Sequence, residues 1–125
     1  MTDDLQAPIR DRLRAALRTA MKSRDTLAVD AIRTALAAID NAEAVDIAET
    51  TTTFSVSRIA GSVAGVGGAD VPRRSLTEAE MAELVEREAA DRRAAAEGYE
   101  QEGYPRRAAE LRDSAAVLDG LLRAA

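Results

Sequence analysis

Positively charged side chains recur every four residues near the start of the chain, and they are its clearest indication of a binding chemistry. The cations in question are Arg10, Arg14, Arg18 and Lys22, followed by Arg24 and Arg33. On a helix, a spacing of four places side chains along one side. Six cations and a single acid within residues 9–24 give a local charge of +5 in a chain of net charge −5. Because such groups bind phosphate and carboxylate, the pattern predicts a basic surface that faces an anionic partner.

That partner is either internal or external. Residues 78–113 contain eleven acids and six arginines, so the second half of the chain carries the opposite charge. Charged helix faces are often solvated or joined by exposed ion pairs of small energy. One interpretation is therefore a bundle that neutralises itself. The other is a surface that binds nucleic-acid phosphates or an acidic protein, and the sequence leaves both open.

The residue inventory argues against catalysis by this chain alone. Cysteine and histidine are both absent, which excludes thiolate chemistry, the usual zinc ligands and a Ser-His-Asp triad. Ser23 has only Lys22 beside it as an activating group. The glycines of residues 65–68 lack the strand and the lysine of a phosphate loop. We therefore predict no catalytic residue, no cofactor site and no metal site.

Length and composition favour one all-α domain over residues 1–125. The hydrophobic fraction is 46% but the aromatic fraction only 2%, and alanine and leucine, which favour helix, dominate. No stretch is apolar for the roughly 18 residues that a membrane-spanning helix needs. We expect a cytoplasmic protein with no membrane partner, folded as a bundle of about four helices.

Residues 1–43 are predicted to form an antiparallel helix hairpin. The first helix should span residues 4–21, and the second should begin after Asp25, whose carboxylate is placed to cap it, and end at Glu43. The apolar stripe of the first helix is Leu5, Ile9, Leu13, Leu17 and Met21, and that of the second is Val29, Ile32, Leu36 and Ile39. The spacings of three and four indicate that these stripes face a shared core.

Residues 44–74 are predicted to be a long, flexible, glycine-rich linker, and residues 75–125 a second hairpin. Ser75 with Glu78, or Thr77 with Glu80, could start the third helix as a capping box. Pro105 suits the first turn of the fourth helix. The apolar seam of that helix is Ala108, Leu111, Ala115, Leu118 and Leu122.

The first hairpin resembles the YqeY family, also called GatB/YqeY-like. Residues 20–25 (AMKSRD), 32–36 (IRTAL) and 41–43 (NAE) carry the resemblance. Arg92, Arg93, Tyr99 and Gly103, with the spacing to Leu118 and Leu122, are similar to the continuation of that domain. The match covers about three quarters of the chain.

This resemblance implies a helical domain related to the tail of the GatB subunit of the glutamine-dependent tRNA amidotransferase. It suggests tRNA, or an aminoacyl-tRNA-related protein, as the partner, and it brings a family label of carbon-nitrogen ligase activity with glutamine as amide donor. The chain departs from the family at Tyr104, where an arginine is usual, and at Ser114, where an acid is usual. Since it ends soon after Leu122, we expect the family's C-terminal subdomain to be absent.

We therefore expect a non-catalytic tRNA-handling module that uses the six cations Arg10, Arg14, Arg18, Lys22, Arg24 and Arg33. The alternative is a helical protein-interaction module, in which an apolar groove between the hairpins holds a partner helix.

Overall fold

Four helices form the architecture. The computed structural model describes residues 7–52 and 75–123, the side chains of 45–52 excepted. The helices are α1 (Ile9–Ser23), α2 (Thr26–Thr52), α3 (Glu78–Gln101) and α4 (Pro105–Arg123). The pairs α1–α2 and α3–α4 each form an antiparallel hairpin, and the two hairpins pack together. The predicted all-α bundle is confirmed, and the described residues contain no strand.

The start of α1 lies later than predicted. The helix begins at Ile9, not at residue 4, and Pro8 occupies the N-cap position without a side-chain hydrogen bond. A proline disfavours helical geometry in the residue before it, so the chain cannot easily enter the helix through Ala7. Leu5, predicted to extend the apolar stripe, lies outside the described residues.

The turn between α1 and α2 closes as predicted. Arg24 adopts the left-handed conformation, with φ of 59°, and the Asp25 amide donates to the Ala20 carbonyl at 2.9 Å. The Asp25 carboxylate then accepts a hydrogen bond from the Ala28 amide at 3.1 Å and caps α2. These two hydrogen bonds, each between residues close in sequence, therefore hold the reversal of the chain between the helices.

The end of α2 differs from the prediction. The helix continues to Thr52 instead of ending at Glu43, so the first nine residues assigned to the linker are helical. Residues 44–52 lose the apolar periodicity, but they contain no proline or glycine that would stop a helix. The remainder of the predicted linker, residues 53–74, lies outside the described part of the chain.

A capping box starts α3 at the second of the two predicted positions. The Thr77 hydroxyl accepts from the Glu80 amide at 3.1 Å, and the Glu80 carboxylate accepts from the Thr77 amide at 2.8 Å. Glu78, the other candidate, instead accepts a hydrogen bond from the Ile9 amide at 2.9 Å. Its carboxylate satisfies one of the free amides of α1, which lacks a side-chain cap of its own.

Replacing Thr77 with alanine is expected to destabilise the protein by about 1 kcal/mol, because the cap of α3 is lost. Thr19→Ala is the matched control, since Thr19 lies inside α1 and is exposed, and alanine is the better helix former. Urea denaturation of both variants measures the free energy of unfolding. Equal losses in the two variants would contradict a capping role for Thr77.

The core is built mainly from alanine and a few aliphatic side chains. Leu13, Ile32, Ile39, Val85 and Leu118 are the largest apolar side chains that are fully buried. They belong to one cluster that draws on all four helices. The small side chains around them are Ala28, Ala31, Ala35, Ala89 and Ala115. Because alanine side chains are small, they leave room for the helices to approach closely.

The predicted apolar stripe of α1 is wrong at its last member. Met21 is 50% exposed, whereas its neighbour Ala20 is buried. A step of four residues overshoots a full turn by about 40°, so a strict four-residue repeat rotates around the helix. By Met21 the repeat has turned about 120° away from Ile9. The core contact therefore passes to Ala20.

Both tyrosines lie where α3 turns into α4, Tyr99 in the last turn of α3 and Tyr104 between the two helices. Pro105 is the first residue of α4, as predicted, and Gly103 has φ of 91°, a conformation that favours glycine. The rings of Tyr99 and Tyr104 meet edge to face with centroids 6.2 Å apart. The Arg107 guanidinium lies 5.9 Å from the Tyr99 centroid. The end of the second hairpin at this turn, which we call the α3–α4 tip, has its own small core of Ala96, Ala108 and Leu111.

Candidate nucleic-acid interface

Three of the predicted cations point from α1 into solvent. Arg14, Arg18 and Lys22 are exposed. Each four-residue step rotates the row by about 40°, so the row that starts at Arg10 beside the buried face turns progressively outward. None of the three forms an ion pair or a side-chain hydrogen bond with any described residue. They form the first part of a basic surface.

Arg10, the first member of the row, forms ion pairs with two acids of α2. Its Nη1 lies 3.0 Å from Asp40 Oδ1, and its Nη2 lies 2.9 Å from Glu43 Oε2. Burial lowers the pKa of Arg10, but the hydrogen bonds and charges of Glu43 and Asp40 outweigh burial and hold that pKa above its ordinary value. Arg10 therefore remains charged and joins α1 to α2. The structure separates it from the other five cations.

Arg24 and Arg33 extend the basic surface around the turn. Both are exposed, and neither has an ion-pair partner among the described side chains. They line a shallow hollow of about 550 Å³ on the outer side of the hairpin. Its remaining lining residues are Met21, Thr26, Val29 and Asp30. We call Arg14, Arg18, Lys22, Arg24 and Arg33 the basic surface.

The acids of the second hairpin do not cancel the basic surface. Several of them pair with arginines of their own hairpin: Arg93 with Asp119, Arg107 with Glu110, and Arg112 with Glu100. The ion pair found between the hairpins in the described residues joins Arg92 to Asp30 at 3.3 Å and leaves the basic surface untouched. Among the described residues, the acids of α3 and α4 therefore form no ion pair with the basic surface.

Sequence reasoning missed three polar residues that position the surface. Glu43 is only 6% exposed and accepts from Arg10. Arg12 donates from Nη1 to the Leu121 carbonyl at 2.9 Å and ties α1 to the last turn of α4. Glu78 caps α1, as described above. The signal for Glu43 was present, because it follows Ile39 by four residues and so continues the buried side of α2.

The basic surface is suited to binding anions and not to acid-base catalysis. Guanidinium and ammonium groups stay protonated near neutral pH, so they donate hydrogen bonds without exchanging protons. Among the described residues, no group of three or more potential metal-ligating side chains is found. No helix in the same part of the chain has the length and apolar character needed to cross a membrane.

Comparisons with protein-family models, with curated proteins and with solved structures give no match for this chain.

Proposed function

We propose that this protein is a non-catalytic RNA-binding module that handles tRNA through its basic surface. The observation that carries the proposal is that Arg14, Arg18, Lys22, Arg24 and Arg33 are exposed and have no carboxylate partner among the described side chains. These five cations lie on one hairpin of a chain whose net charge is −5. They supply a local positive field that the acids among the described residues do not pair with.

Phosphate is the anion that best fits this arrangement. Arginine presents a planar fork of donors that matches phosphate oxygens, and four of the five cations are arginines. Cations that contact a nucleic acid release its condensed counterions, and this release makes binding favourable at low salt. The overall negative charge repels nucleic acid from other faces, so it orients the approach toward the first hairpin.

The resemblance to the YqeY family supports tRNA as the specific RNA, and it would place this role in the cytoplasm. The family label of carbon-nitrogen ligase activity would require groups that activate glutamine. With no cysteine or histidine in the chain, we assign no catalytic role to any residue. We propose that any amide transfer associated with this module takes place on a partner.

The alternative role, a protein-interaction module, would need free apolar surface between the two hairpins. The main core cluster combines side chains of both hairpins, so much of that surface is already in use. We therefore favour RNA, which uses the charged outer side of the first hairpin.

The proposal is tested by measuring tRNA affinity at several salt concentrations by fluorescence anisotropy. If the five cations each contact a phosphate, the logarithm of the binding constant should fall with the logarithm of salt with a slope of about −3.5 to −4.5. Binding that is undetectable at low salt would overturn the proposal.

Charge reversal at two positions gives a sharper result. Arg14→Glu with Arg18→Glu should weaken tRNA binding by at least about tenfold and reduce the magnitude of the salt slope by about 1.4 to 1.8. Arg87→Glu with Arg106→Glu is the matched control, because it makes the same change in net charge at exposed arginines of the second hairpin. Equal effects of the two double variants would show a non-specific dependence on net charge and contradict a localised site.

A further inference from the structure

The hollow beside the α1–α2 turn is lined by both apolar and cationic side chains. Met21, half exposed, and Val29, partly buried, supply the apolar surface, and Arg24 and Arg33 supply the cations. The hollow has a volume of about 550 Å³ and is open to solvent. A site of this kind fits a ligand that carries an anionic group next to a flat apolar one.

The net charge of the residues that line the hollow is positive. Asp30 also lines the hollow, but its carboxylate is engaged by Arg92, whose Nη2 lies 3.3 Å away. Arg24 is held by the left-handed turn, in which its amide donates to the Met21 carbonyl at 3.2 Å. The backbone at this arginine is therefore fixed beside the hollow, while its side chain remains free to bind.

We propose that the hollow holds an unpaired RNA base against Met21, with the flanking phosphates bound by Arg24 and Arg33. This inference rests on the proposed RNA-binding function and specifies single-stranded RNA as its substrate. A base is planar and apolar on its faces, and each base is followed by a phosphate. A methionine thioether makes favourable contacts with aromatic rings, so Met21 can act where an exposed tyrosine acts in other single-strand binding sites.

Double-stranded RNA does not satisfy the same site. In an A-form helix the bases are stacked and paired, and side chains reach mainly phosphates and the shallow groove. A duplex could contact Arg24 and Arg33 but would leave Met21 in water. The exposed Met21 side chain is therefore the feature that distinguishes a single strand from a duplex.

The test compares three RNAs with equal numbers of phosphates: an unmodified single strand, the same strand with abasic central positions, and a blunt duplex. Fluorescence anisotropy at low salt measures the affinity of the full chain for each. We expect the unmodified strand to bind about fivefold more tightly than the abasic strand, since only the former places a ring against Met21. The duplex should bind through its phosphates alone, because its paired and stacked bases cannot reach Met21.

Met21→Gln preserves the length of the side chain and its helix propensity while making it polar. This variant is expected to weaken binding of the unmodified strand about fivefold and to remove most of its advantage over the abasic strand. Tyr104→Gln is the matched control, because Tyr104 is an exposed apolar residue, 58% accessible, on the other hairpin. It should leave both affinities unchanged.

The outcomes separate this inference from the proposed function. Equal affinities for the unmodified and abasic strands would overturn the base site while leaving phosphate binding intact. A Met21-dependent affinity for an acidic amphipathic peptide, without such dependence for RNA, would assign the hollow to a protein partner and also overturn the inference. Failure of all three RNAs to bind would overturn the proposed function itself.

Discussion

Replacing Leu13 with alanine is expected to lower the free energy of unfolding by about 2 to 5 kcal/mol. Leu13 is completely buried in the cluster that unites the helices. Much of that cluster is alanine, which has no flexible side chain to move into the space left behind, so the cavity should persist. Since a domain of this size is stable by about 5 to 15 kcal/mol, the loss is a large share of the total.

Leu17→Ala is the matched control for this variant. Leu17 lies one turn further along α1 and is only partly buried, so its truncation should cost less than half as much. Urea denaturation followed by circular dichroism measures both variants. If the two substitutions have the same cost, the core does not centre on Leu13 as the structure indicates.

Replacing Glu43 with alanine is expected to lower the free energy of unfolding by about 2 to 3 kcal/mol. The substitution leaves the Arg10 guanidinium without its better-buried partner, and it removes the acceptor of the Leu76 amide. The cost falls below that of a fully buried pair because the Arg10 side chain is 20% exposed and stays partly hydrated. Denaturation in urea at neutral pH measures the change.

Two further variants decide whether the lost pair is the cause. Arg10→Met with Glu43→Leu should recover most of the stability, because neither charge then remains unpaired. Glu110→Ala breaks the exposed pair with Arg107 and should cost less than about 1 kcal/mol. A Glu43→Ala variant as stable as Glu110→Ala would show that the Arg10 pair contributes little.

The sequence was sufficient to predict the helices that have clear boundary signals. Asp25, the Thr77–Glu80 box and Pro105 each act locally, through a cap or a fixed dihedral angle, so neighbouring residues alone determine the result. The end of α2 lacked such a signal. The loss of apolar periodicity after Glu43 predicts an end to the helix, but a helix can continue in a sequence that lacks an amphipathic pattern.

The candidate site was only partly predictable, for a geometric reason. Arg10 and Arg14 have the same spacing and the same chemistry, yet one is paired inside the hairpin and the other is exposed. The difference arises from the rotation of about 40° per four residues and from the position of Glu43 on α2. Counting charges cannot show this, because the partner of Arg10 lies thirty-three residues away.

The edge-to-face pair at the α3–α4 tip also provides a built-in optical probe. The chain contains two tyrosines and no tryptophan, so ultraviolet emission arises almost entirely from Tyr99 and Tyr104. That emission reports on the tip of the second hairpin alone, whereas circular dichroism averages over every helix. Coincident melting curves from the two signals would indicate cooperative unfolding of the bundle, and an earlier fluorescence transition would show that the tip frays first.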